Sequence, residues 1–438
     1  RFLFHTQVAT LDVAVATMVV FTTAAFFWAE RNLRWVIPTG VIFGLALLTK
    51  LNAPFAALPA TGFALVTRWR GFGLERRHAL GGPALVLPTI PKSLLAMALL
   101  GPLLFVALWP WLWFDTLTRL GEYFAFHLAH YPIFLFYEGE VYSKPFAPWH
   151  MPFTLAVGVM PSPVVLLGVV GAGLAVAALV RTARAARHDG SGSDASDADQ
   201  LLTLVLLQSF FAIGIVAFSN VPKYGGEKLF MPFFPLFVIL AAHAAAKALQ
   251  GIAYLVPWLR PGLPAFLPLV ERDRIDSSRV PVLRGVVLGL IAALTCIPGF
   301  VGSVRFHGGY ALSYYGEFLG GLAGATARGY ERTYYDVADK ALALWLDDNA
   351  RGRSVHFEPN HKEYVRTYKW LQRDGVISKR LRLEPRRERA QLLVLTHERR
   401  WTTYPRLLDE HRRLRAVHEV KREGVPLYTV YERPALEP

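Results

Sequence analysis

The residues in this chain that could do chemistry are few, and they recur beside apolar runs. Asp12 opens one such run, in HTQVATLDVAVATMVV. A carboxylate at the edge of a bilayer costs about 2.5–3.5 kcal/mol on insertion scales, so its presence points to function; a helix N-cap near the headgroups is the plainer reading. Lys50 stands between two closely spaced apolar runs, in GLALLTKLNAPFAALP. Its ammonium suits a phosphate as a point charge, or it can snorkel to the interface. NVPKYGGEKLFMPFFP (220–235) brings Lys223, Tyr224 and Lys228 around a Gly-Gly pair. Two ammoniums there could hold an anionic lipid phosphate, or belong to a plain turn with solvated charges. The richest stretch is 114–152, FDTLTRLGEYFAFHLAHYPIFLFYEGEVYSKPFAPWHMP. His127 and His130 are three apart, so on a helix they share a face and with Glu138 form a candidate metal set. Tyr131, Tyr142, Trp149 and His150 could stack on or bond to a sugar, or form an aromatic belt at the headgroups.

The elements that must position these residues are apolar and long. The chain has 438 residues, 53% of them hydrophobic, above the range of ordinary soluble domains. Eight candidate spans are predicted, near 13–29, 33–49, 52–67, 93–113, 153–180, 201–219, 229–249 and 283–304. Two are short for a bilayer, and Pro161 with Pro163 should split the fifth into a short piece and a true span. DGSGSDASDAD (189–199) is predicted as a solvated linker, within a cytoplasmic segment 181–200. The fold class is therefore mainly α: a polytopic transmembrane bundle (1–304) followed by an extramembrane α/β domain (305–438). In that domain 334–350 has helical periodicity; RSVHFEP, AQLLVLTHE and LRAVHEVKREGVPLYTVYERP read as strands, with Glu423-Gly424 as a hairpin turn.

The net charge of +14 is better explained by a membrane than by nucleic acid. With 30–34, 68–92, 181–200 and 247–284 on one side, that side carries 16 Lys and Arg against 6 on the other. The positive-inside rule makes the first set cytoplasmic, and 114–152, 220–228 and the C-terminal domain extracytoplasmic, as in a bacterial inner membrane protein. Cys296 cannot form an internal disulfide, and no CxxC, Rossmann or P-loop motif is present. A transporter would call for repeats and charges near mid-span, and neither is evident; another lipid-carrier enzyme, an oligosaccharide ligase or polymerase, is hard to separate from a transferase.

In order and spacing, ATLDVAVATMVVF, GLALLTKLNAPFAALP, KPFAPWHMPFTLAVGVMPSPVVLLG, KYGGEKLFMPFFPLFVILAA and SYYGEFLGGLAGATARGYERTYYDVADKALALWL together resemble the bacterial membrane glycosyltransferases of family 39, related to protein O-mannosyltransferases. The resemblance runs along nearly the whole chain. It implies a GT-C-type bundle that transfers a sugar from a polyprenyl-phosphate donor to a protein, lipid or glycan acceptor, with no soluble nucleotide and at most a divalent metal as cofactor. It implies roles for Asp12 in catalysis and for Lys50, Lys223, Tyr224 and Lys228 at the donor phosphate. It also implies a general base in an external loop that would lie upstream of Arg1, the first residue of this sequence, so that residues 1–438 alone should be inactive. Lys228 stands where relatives often carry Arg, which keeps the charge but loses the bidentate geometry.

Overall fold

The computed structural model describes residues 5, 11–68, 73–76, 83–86, 89–128, 133–144, 146–189, 195–255, 282–334 and 339–434. The protein is mainly helical, with a five-stranded sheet near its C-terminus.

Four helices among the described residues are long and apolar enough to cross a membrane. They are α1 (Leu11–Ala29), α7 (Ser162–Asp189), α8 (Asp197–Ala217) and α9 (Phe233–Leu255). At 1.5 Å per residue the 19 residues of α1 span about 28 Å, close to a hydrocarbon core. Two of its threonines close on their own backbone: Thr22 and Thr23 each donate to the carbonyl four residues back at 2.7 Å. Three of the other predicted spans are shorter, and the last, 283–304, falls on a helix over Val282–Arg305. α2 (Val36–Leu47), α3 (Ala57–Thr67) and α4 (Lys92–Ala107) are apolar but brief. α2 and α4 approach closely because glycine lines the contact: a Cβ on Gly40 would lie 2.6 Å from the Ala96 carbonyl oxygen.

Between α4 and α7 lies the aromatic segment. It is not a loop: it forms α5 (Thr116–Leu128) and a small hairpin, β3 (Leu135–Tyr137) with β4 (Glu140–Tyr142). A second small hairpin, β1 (Gly73–Arg76) with β2 (Pro83–Val86), lies in the basic stretch after α3. Pro161 and Pro163 split the fifth apolar run as expected, into α6 (Met151–Gly158) and α7. The linker 189–199 is overturned at its end. Ser196 caps α8, accepting from the Asp199 amide, and Asp197 and Asp199 lie in the first turn, where acidic side chains favour the helix dipole. Those acids also pair with Arg31 and Arg181.

α10 (Val282–Arg305) leads out of the bundle, and the chain then turns through α11 (Gly321–Ala327). The sheet follows, with α12 (Lys340–Asn349), α13 (His361–Arg373) and α14 (Tyr404–His411). Its order is β6-β5-β7-β9-β8. β5 (Ser354–Glu358) runs parallel to both β6 (Arg382–Leu383) and β7 (Leu392–Thr396). β7 is buried throughout, as a strand covered on both faces must be. β8 (Arg415–Arg422) and β9 (Val425–Glu432) complete it as an antiparallel hairpin. Glu423 and Gly424 turn it with positive φ, as the sequence predicts. One apolar core runs without a break from Val15 and Val19 of α1, through Tyr137, Tyr315 and Tyr330, to Val355 and Val394 of the sheet. Bundle and sheet are thus joined by buried apolar surface.

Candidate functional site

Ion pairs sort the charged residues of the bundle to its two ends. At one end Glu30 accepts from Arg68 and from Ser93 (2.7 Å), while Arg31 holds Asp197 and Gln200. At the other end, Asp12 in the first turn of α1 meets Lys50 in the turn after α2, with Nζ 2.5 Å from Oδ1. Asp12 is 6% exposed and Lys50 24%. A charge-assisted hydrogen bond of this kind is strong and leaves neither group to chance.

Lys228 stands in a 3-10 turn (Gly226–Phe230) between α8 and α9. Its ammonium lies 4.6 Å from the centre of the Tyr224 ring, a cation–π contact. The bend is possible because Gly225 has φ +64°, and a Cβ there would lie 2.6 Å from Lys228 Cε. Burial pushes the Lys228 ammonium down to about 8; the like charges of Lys50 and Arg400 push the same way, and Asp12 opposes them. Three segments of the bundle therefore bring Asp12, Lys50, Tyr224 and Lys228 into one electrostatic neighbourhood.

Beside it lies a cavity of about 280 Å³, walled by Ile133, Tyr224, Gly225 and Lys228 on one side and by Glu363, Arg366, Thr367 and Arg400 on the other. The second wall belongs to the sheet domain. Arg366 Nη2 is 2.6 Å from Glu363 on α13. Arg400 follows β7, and Glu398 orients it, accepting from Nε (2.7 Å) and Nη2 (2.6 Å). The backbone there is pinned by Glu331, a fully buried carboxylate that accepts from the amides of Arg332 (2.8 Å), Arg399 (2.9 Å) and Arg400 (2.7 Å). Burial pushes the Glu331 carboxyl up, and these N–H donors pull it back. Arg399 caps the Thr326 and Tyr330 carbonyls and stacks over Phe136 of the β3–β4 hairpin.

The other predicted site residues are placed less centrally. Lys223 is turned into its own loop, donating to Phe218 O at 2.9 Å and Val221 O at 3.4 Å, and burial lowers its pKa. It holds the end of α8. His127 meets Tyr123 edge-on, centroids 4.7 Å apart. His130 and Tyr131 lie outside the described residues. So does Arg1. Glu138 is exposed at the β3–β4 turn with φ +50°, and the next amide bonds to Gly329. His150 Nδ1 is 2.9 Å from the Tyr137 hydroxyl, which also meets Thr154 at 2.7 Å, so this histidine belongs to a structural network. Tyr142 packs on the core, while Trp149 is exposed against Phe153. Among the described residues, no group of three or more His, Cys, Asp or Glu is placed to hold a metal. The aromatic segment reaches the cavity through Ile133.

The sequence reading passed over Glu227, Glu331, Glu363, Arg366, Glu398 and Arg400. Glu227 is buried against His5, Nε2 to Oε1 3.5 Å. A signal for Arg400 did exist: LVLTHERRW is a buried strand followed at once by charge. It becomes informative only when that strand is known to be parallel, since such sheets bind ligands beyond their carboxyl ends. Comparison with known proteins adds no relative: no family model matches the chain, and neither curated proteins nor solved structures yield a similar one.

Proposed function

We propose that this protein is a membrane glycosyltransferase that takes a sugar from a polyprenyl-phosphate carrier at the outer face of the membrane and passes it to a protein, lipid or glycan acceptor. The observation that carries this reading is the meeting of Lys50 and Lys228, with Asp12 and Tyr224, at one end of a bundle containing helices of membrane-crossing length. Cations at that depth suit an anionic headgroup whose tail stays in lipid. Near them, Asn52 and Leu229 open on a narrow apolar cleft of about 30 Å³ beside Val19 and Phe55, where the first carbons of the tail would begin. The order of motifs along the chain supports the same reading.

The reaction asks little covalent chemistry of the protein. An acceptor oxygen attacks the anomeric carbon, and the bond from that carbon to the phosphate oxygen breaks. The carrier phosphate leaves with the electron pair, and the hydroxyl proton passes to a carboxylate or to the departing phosphate. Cations preorganised at the leaving oxygen stabilise the charge that develops there. Asp12, already bonded to Lys50, would act by orienting that ammonium, which makes it a positioning residue.

The test is competition in detergent micelles between a polyprenyl phosphate and the same polyprenol without phosphate. The phosphate should bind at least tenfold more tightly, and Lys228→Ala should remove most of the difference. Equal binding of phosphate and alcohol would overturn the reading.

A further inference from the structure

The sheet domain contributes half of the cavity, and its topology explains why. β5 lies between its parallel partners β6 and β7, so the chain moves from β5 to one side and then crosses to the other. In parallel sheets of this order, ligands bind at the carboxyl ends of the two strands where the direction of winding reverses. Those ends are Glu358 and Thr396. The helix that follows β5 supplies Glu363 and Arg366, and the turn that follows β7 supplies Arg400. The crevice that this fold offers to a ligand is therefore pressed against Lys228 and Tyr224 of the bundle.

Charge points the same way. The charged residues that wall the cavity are three cations, Lys228, Arg366 and Arg400, and one carboxylate, Glu363; Glu398 is bonded to Arg400. Arg400 is held by a fully buried carboxylate on its side chain and another on its backbone amide. A protein that holds cations against one another from two domains stores repulsion that an anion would relieve.

On the basis of the function proposed above, we infer that the sheet domain is part of the substrate site: Arg366 and Arg400 bind a second phosphoryl group, beyond the one seated on Lys50 and Lys228. That group comes from one of two sources, the distal phosphoryl of a diphosphate carrier or a phosphoryl on the acceptor. Arg presents a planar fork suited to phosphate oxygens, and Glu398 fixes the orientation of the Arg400 fork.

The experiment uses the full chain in detergent micelles with four probes: polyprenyl monophosphate, polyprenyl diphosphate, and a hexose with its 6-phosphate, the last two at saturating polyprenyl monophosphate. The wild type should prefer either diphosphate to monophosphate, or hexose phosphate to hexose, by about tenfold, as an added charge-assisted contact gives. The pair that shows the preference names the source. Arg366→Ala and Arg400→Lys should each bring that ratio close to one. Arg366 is 62% exposed, so its variant tests the idea even if Arg400→Lys fails to fold. Intact monophosphate binding with no preference in the wild type, or a preference untouched by both variants, overturns the inference alone. Loss of monophosphate binding in the wild type overturns the function on which it rests as well.

Discussion

Replacing Lys50 with Met should cost more stability than replacing Asp12 with Asn, although the two residues form one ion pair. The asymmetry follows from exposure. Asp12 is 6% exposed, so without Lys50 its carboxylate is left charged in a nearly dry site. Breaking a fully buried pair costs about 3–5 kcal/mol; Lys50 is 24% exposed, so partial screening brings the loss for Lys50→Met to about 2–3 kcal/mol. Without the aspartate charge, the lysine can extend its stem and reach water, and Asp12→Asn should cost about 1 kcal/mol. The double variant should then lose about 1 kcal/mol rather than the sum, a coupling of about 2–3 kcal/mol between directly touching groups. The assay is equilibrium unfolding in mixed detergent micelles, with SDS mole fraction as the denaturant and tryptophan fluorescence as the signal. Where unfolding is irreversible, unfolding rates replace midpoints. A larger loss for Asp12→Asn than for Lys50→Met would refute the argument, as would a coupling below about 0.5 kcal/mol. The folded double variant should prefer polyprenyl phosphate to polyprenol less than the wild type does, keeping the share that Lys228 carries, which separates the structural role of the pair from its binding role.

Other outcomes follow from the same geometry. Gly225→Ala places a Cβ at φ +64° and against Lys228 Cε; it should cost about 1–2 kcal/mol of stability and weaken phosphate binding severalfold, and unchanged binding would show that the ammonium does not need this bend. Because burial pushes the Lys228 ammonium down to about 8 in the free protein, phosphate affinity should be level between about pH 7 and pH 8, where the phosphate is already dianionic. It should fall by up to tenfold per unit above that range, until the higher pKa of the anion-bound state is reached; phosphate titrates near 6 and contributes nothing in that window. Lys228→Arg should flatten the profile, and a wild-type profile flat to pH 9.5 would exclude Lys228 from the site. Glu331→Ala strands three half-buried amides and should cost about 3 kcal/mol, with faster hydrogen exchange at the amides of Arg332, Arg399 and Arg400; unchanged exchange there would refute the pinning role.

Much of the fold was legible because its signals are local. The Pro161/Pro163 break, the strands at 354–358 and 392–396, and the Glu423-Gly424 turn are each written in a few neighbouring residues. The length of the aromatic segment hid α5 and the β3–β4 hairpin, because aromatic residues at a membrane boundary give little periodicity to read. The acids of 197–199 looked like solvent-loving linker, yet acids next to a serine also start helices. Half of the site was legible for the same reason: Asp12, Lys50 and Lys228 are charges beside apolar runs. Arg366, Glu398 and Arg400 were not, since surface-like arginines abound in that domain. Only the strand order and the docking of the sheet reveal that Arg366 and Arg400 face a lysine far away in the sequence.

The buried Glu331 carboxylate also bears on traffic. It ties the backbone before α12 to the turn after β7, on an apolar core that continues into the bundle. The Arg400 side of the cavity beside Lys228 is thereby held in place. For a molecule entering that cavity, arrival is then a matter of size, diffusion and charge. For an anionic visitor the rate should slow as salt is added, while a neutral visitor of the same size should be indifferent to it.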